Sequence, residues 1–167
     1  MKTTLALKLL ATALALTAAG AAQTEQRPPF TLTITAAKTS VPVDSPMTLV
    51  AEMKDVSDKN IYTGIVVTGD GVQLHHIDIR VLDKDGKPVP ETDHGMLIHG
   101  RHPRGSGMIN HAFSIPVPPG ESATENFDLA KEFELTRPGT YSVQAQRLDY
   151  PSQILVRSNT ITFTITK

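Results

Sequence analysis

Cysteine and tryptophan are both absent from the 167 residues, and the aromatic side chains are few: five Phe and three Tyr. Without cysteine there is no disulfide and no thiolate to hold a metal, and no lipid-modified cysteine follows the apolar N-terminal run. The fold must be held by packing alone. So few aromatic rings argue against a sugar-binding platform, which displays rings on its surface. A basic excess is also missing, with 16 Lys and Arg against 17 Asp and Glu, so no nucleic-acid partner is expected. No stretch carries a helical apolar period over three turns. H-E-x-x-H does not occur, which leaves no zinc-peptidase motif, and Gly105-Ser106-Gly107 is not the G-x-S-x-G of a nucleophile elbow.

The one long apolar run lies at the start. Lys2 and Lys8 precede Leu9 to Ala19, and small residues follow at Gly20-Ala21-Ala22. A basic start, a short apolar centre and an A-x-A-like tail predict a secretory signal peptide over residues 1–22, cut after Ala21 or Ala22. The run is shorter than the ~20 residues of a spanning helix, so no stable membrane span is expected after cleavage. Residues 23–29 read as a flexible lead-in ending in Pro28-Pro29, and residues 30–167 as a single β-sandwich domain. The exported part has about 145 residues and a net charge near −3, a size that supports one core. The expected location is periplasmic or extracellular.

Along the chain, apolar residues alternate with polar ones. Phe30, Leu32 and Ile34 are spaced by threonines, and Leu49, Ala51 and Met53 alternate in the same way. Period two marks a half-buried strand. Val41 to Pro46 reads as a turn, Asp55 to Asn60 as another, and Ile61 to Thr68 as a strand. Val72 and Leu74 then lie on one parity while Ile77, Ile79 and Val81 lie on the other. One strand cannot bury both sets, and a bulge near His75-His76 would restore the register. Asp85-Gly86 predicts a hairpin, with a returning strand that Pro88 and Pro90 confine to an edge. Thr92 to Gly107 reads as a long, irregular and mobile stretch. Ile109 to Val117, Ser122 to Leu129, Tyr141 to Gln146 and Thr160 to Thr166 read as further strands, with Pro138-Gly139 as a turn and Asp128 capping one helical turn. Seven to nine short strands with turns about every ten residues predict an all-β antiparallel sandwich without a disulfide. An up-and-down barrel is the alternative.

Pro138-Gly139-Thr140-Tyr141-Ser142-Val143 resembles the tyrosine corner of immunoglobulin-like domains. The resemblance implies that the Tyr141 hydroxyl bonds upstream backbone, and that Val143 and Ala51 stand where antibody domains place their cysteines. The run from Pro119-Gly120-Glu121-Ser122 through Phe127-Asp128-Leu129 to Tyr141, with Ser158-Asn159-Thr160-Ile161, also resembles small exported bacterial proteins of unknown function. Such modules commonly carry Asn-x-Ser where this chain has Asp55-Val56-Ser57. The half from Pro119 is similar to β-sandwich propeptides of deuterolysin-type metalloproteases and, more weakly, to the bacterial intracellular proteinase inhibitor family. These are turn and core motifs, so they imply a fold and not an activity.

Three histidines, His94, His99 and His102, fall within nine residues beside Arg101 and Arg104. Imidazole is a common ligand of zinc, copper and nickel. The spacing fits no rigid template, so a solvated polar loop is the expectation and the three are weak metal candidates. His111 shares parity with Ile109 and Phe113 and reads as a rim or core histidine. Asp83 and Asp85 read as turn residues. The functional expectation is a non-enzymatic binding or accessory module of the cell envelope, with another envelope protein as partner, no cofactor and no catalytic residues. The alternatives are a proteinase inhibitor or propeptide-like protein, and third a periplasmic metal-binding protein.

Overall fold

The computed structural model describes residues 27–68, 71–103 and 109–167, with side chains from residue 111 in the last span. The expected signal peptide, Arg104 and Gly105-Ser106-Gly107 lie outside the described residues. Among those described, the strands are β1 (Phe30–Ala36), β2 (Ser40–Pro42), β3 (Thr48–Asp55), β4 (Ile61–Thr68), β5 (Gln73–Leu74), β6 (Asp78–Asp83), β7 (Ile109–Val117), β8 (Ser122–Asp128), β9 (Gly139–Asp149) and β10 (Ile154–Thr166). Eight of these run six residues or longer, and two short helices, α1 (Asp93–Ile98) and α2 (Leu129–Glu132), interrupt them.

The alternating segments become sandwich strands because each has one apolar side to hide. Two sheets form the sandwich: one ordered β1-β3-β8, the other β2-β10-β9-β6. All their pairings are antiparallel except the parallel pairing of β2 with β10. Leu32, Ile34, Leu49, Ala51, Met53 and Phe127 from the first sheet meet Ile79, Val81, Val143, Ala145, Phe163 and Ile165 from the second in one buried cluster. The fold is an immunoglobulin-like antiparallel β-sandwich. Its tyrosine corner is present: the Tyr141 hydroxyl donates to the carbonyl of Arg137 at 2.7 Å. Ala51 and Val143 are fully buried on β3 and β9.

Asn159 stitches the two sheets at an open edge. Its side-chain oxygen accepts from the N–H of Ile34 at 2.9 Å, and its amide donates to the Ile34 carbonyl at 3.1 Å. That is possible because β10 slips register between Arg157 and Thr160. The buried parity changes there, from Val156 and Ser158 to Phe163 and Ile165.

A third sheet, ordered β5-β4-β7, is an excursion built from the segments before and after β6. It corrects one expectation. The phase break at His75-His76 is no bulge within one strand; β5 belongs to the third sheet and β6 to the second. The parity changes because the chain changes sheets. Two more corrections concern turns. Ser40–Pro42 opens the expected turn as a short strand, and the returning hairpin segment makes only isolated bridges, Leu82 with Pro88 and Glu91 with Phe133.

The stretch expected to be irregular and mobile begins instead with α1. The Thr92 hydroxyl caps it by accepting from the N–H of Gly95 at 3.0 Å, satisfying a donor at the helix start. Ile98 is buried and its carbonyl accepts from the N–H of His75 at 2.9 Å. Asp128 precedes α2 as expected but makes no side-chain cap bond. The cap runs the other way: the Glu132 carboxylate accepts from the N–H of Asp128 at 2.8 Å.

Candidate functional site

The sandwich rim gathers six ionisable groups from three stretches of the chain. Glu125 lies on β8 on the same side as buried Phe127. His75 lies on the crossing between β5 and β6, with its ring 4.3 Å from that of Phe127. Glu132 closes α2 and is 2% exposed. His99 terminates α1, Glu91 precedes it, and Arg101 follows.

These groups alternate as acid and base. Glu125 Oε1 lies 2.6 Å from His75 Nδ1, and its two oxygens also accept from the N–H groups of His76 and Ile77 at 3.3 Å. The other nitrogen of His75, Nε2, lies 3.7 Å from Glu132 Oε1. Glu132 Oε2 lies 3.2 Å from His99 Nε2, and His99 Nδ1 lies 2.8 Å from Glu91 Oε1. Arg101 closes the series, bonding Glu91 through Nε at 3.1 Å and through a short NH2 contact, and Asp78 at 2.8 Å.

A backbone hydrogen bond ties the start of α1 to the end of α2. The Thr92 N–H donates to the Glu132 carbonyl at 3.0 Å. A Cβ on Gly95 would lie 2.0 Å from that same oxygen, so only glycine lets α1 approach α2 this closely.

Burial and pairing oppose each other throughout the cluster. Burial disfavours a charged His75, but the carboxylates of Glu125 and Glu132 overcome it and push the imidazole up to about 9. Burial likewise resists ionisation of Glu132, yet His75, His99 and the Asp128 N–H bring it down to about 2. Glu91 is also lowered: burial raises it, and Arg101 and His99 together outweigh burial. A buried carboxylate persists only with such partners. His76, next to His75, lines a different cleft, of about 270 Å³, with Met53, Ile77 and Arg147, and burial lowers its pKa.

The three histidines of the Thr92 to Gly107 stretch are not brought together. His94 is exposed on α1, His102 is half-buried, and among the described residues only His99 joins a set that could hold a cation, with His75 and Glu132. The helix separates what adjacency in sequence seemed to join. His75 and Glu132 carried no motif. The one sequence signal was the phase break at His75, read above as a bulge.

The second feature is β7. Phe113 and Ile115 are 58% and 39% exposed, and His111, expected at the rim or in the core, is exposed and stacked on Phe113 at 5.9 Å. His111, Phe113 and Ile115 oppose Val67, Ile65 and Thr63 of β4. Among the described residues, β7 pairs with β4 on one side only.

No family model and no curated protein matches this chain. Among solved structures it is similar to a β-glucosidase from Erythrobacter marinus at TM-score 0.42 and 14% identity over 82% of this chain. It is also similar to a β-glucosidase from Listeria innocua at TM-score 0.44 and 12% identity over 81%. A third is the CARDB domain of PF1109 from Pyrococcus furiosus, a structure with di-metal ions, at TM-score 0.40, 13% identity and 82% of this chain. The chain spans 15% and 16% of the two glucosidases and 85% of the CARDB domain. At these scores none of the three bears on function.

Proposed function

We propose that this chain is an exported, non-enzymatic binding module of the cell envelope that takes another envelope protein at β7. One observation carries the reading: β7 is a nine-residue edge strand, I-N-H-A-F-S-I-P-V, without an Asp, Glu, Lys or Arg. Edge strands present unpaired N–H and C=O groups, and soluble proteins ordinarily guard them with charge. Apart from Pro116 near its end, β7 carries no such guard, and among the described residues nothing pairs with its outer side, which is the form used for adding an extended segment of a partner as a further strand. The N-terminal apolar run of the sequence supports export.

A pull-down from envelope extract tests this, with the purified chain and its Ile115→Lys variant as baits. A partner recovered by the first and lost by the second is expected. A partner recovered equally by both, or by neither, overturns the reading. The same edge suits a peptidase cleft, and the likeness to propeptides and proteinase inhibitors makes that the second reading. Dose-dependent inhibition of a secreted peptidase, lost in Ile115→Lys, would move the assignment to that class.

A further inference from the structure

We infer that His75 Nε2, His99 Nε2 and the Glu132 carboxylate form a binding site for one divalent transition metal, with zinc as the best-matched ion. The site is separate from the β7 edge and does not depend on it.

Three observations converge. The first is the donor set. One ligand atom from each residue lies within 4.8 Å of the other two. Zinc bound at ~2.0–2.1 Å needs ligand atoms roughly 3.4 Å apart; Glu132 Oε2 stands 3.2 Å from His99 Nε2, and Glu132 Oε1 stands 3.7 Å from His75 Nε2. Two imidazoles and a carboxylate suit zinc and its neighbours, whereas calcium and magnesium take oxygen sets.

The second is what stands behind the ligands. Each ligating histidine turns its Nδ1 to a carboxylate, His75 to Glu125 and His99 to Glu91. For His75 that arrangement fixes the ring, places the proton on Nδ1 and leaves Nε2 as the donor to a metal. For His75 the consequence is strict. With Nδ1–H given to Glu125, its Nε2 lone pair faces Glu132, and two acceptors face each other unless a proton or a metal lies between. For His99 a contact from Arg101 to Nδ1 competes with Glu91. A metal on Nε2 selects the form that donates to Glu91.

The third is charge. Glu125, Glu132, Glu91 and Asp78 stand against one guanidinium, Arg101. The carboxylates therefore outnumber the cation paired with them, and a divalent ion between His75, His99 and Glu132 offsets that excess. A cleft of about 310 Å³ lined by Gln73, His75, Thr124, Glu125 and Asn126 reaches His75.

Calorimetric titration of the purified, chelator-treated chain with zinc chloride tests the site. The expected result is one zinc per chain and a higher unfolding midpoint in its presence. Cobalt(II) in place of zinc should give the visible absorption of a low-coordinate nitrogen–oxygen site. His75→Gln and Glu132→Gln should weaken zinc binding roughly 100-fold or more, and Glu125→Gln, which removes only support for the ring, by about 10–100-fold. His94→Ala should bind as the parent does. Absence of binding at stoichiometric zinc, or binding that survives Glu132→Gln, overturns the inference. Should the Glu132 variant fail to fold, the parent chain decides: cobalt without ligand-field absorption above that of the free ion also overturns it.

Discussion

At the scale of single residues, the buried polar groups carry the sharpest consequences. Asp55 is 1% exposed. Its carboxylate accepts from the Ser57 N–H at 2.7 Å, the Ser57 hydroxyl at 2.8 Å and the Ile61 N–H at 3.2 Å. Burial raises its pKa, and these three bonds outweigh burial, so it lies below the ordinary carboxylate value. A depressed carboxyl contributes stability that is complete above the unfolded value, about 4, and is lost as pH falls through the folded value. Asp55→Asn keeps the shape but turns an N–H toward a donor. It should lower the unfolding midpoint at pH 7, and the gap to the parent should narrow below pH ~4. Denaturation of both proteins across that range checks this, and a gap that stays constant down to pH ~2 contradicts it. Asp55 was visible beforehand as the first residue of a turn and as the odd residue of an Asn-x-Ser pattern. The function of that pattern as a turn lock needed the positions of Ser57 and Ile61.

At the scale of elements, strands were the legible part. Threonine alternation predicted β1 and the end of β10, and the Pro-Gly turns bounded β9, because period two follows directly from one buried face. Helix α2 was legible as one turn after Asp128, but α1 was not. The six residues of α1 are too few to show an apolar period, and their cap, Thr92, looks like any other polar loop residue. Histidine adjacency then pointed to the wrong set, His94 with His99 and His102, while His99 meets Glu132 from 33 positions away. Gly95 is the residue on which that meeting depends. Gly95→Ala would press a methyl group into the Glu132 carbonyl, pushing α1 away from α2 at a cost of about 1–3 kcal/mol. The unfolding midpoint should fall, and zinc affinity should fall with it because His99 moves with the helix. Loss of stability with unchanged zinc binding would show that the site does not rely on this contact.

At the scale of the whole molecule, the sandwich does two things for its surface. Among the described residues it leaves β7 unpaired on one side, and it draws two histidines and several carboxylates from distant segments to one rim. The first was half legible: the alternation of β7 was plain, but alternation alone cannot say that neither face would be covered. The second was illegible, since it depends on the chain changing sheets at His75. The convergence of those side chains underlies the whole reading of the rim. Nitrogen NMR of the imidazole rings in the metal-free chain tests it most directly. His75 should carry a protected proton on Nδ1, coupled through a hydrogen bond to Glu125 and lost from protection in Glu125→Gln, while the exposed ring of His94 exchanges freely in both. A His75 ring whose protons exchange as fast as those of His94, with or without Glu125, would contradict the arrangement described here.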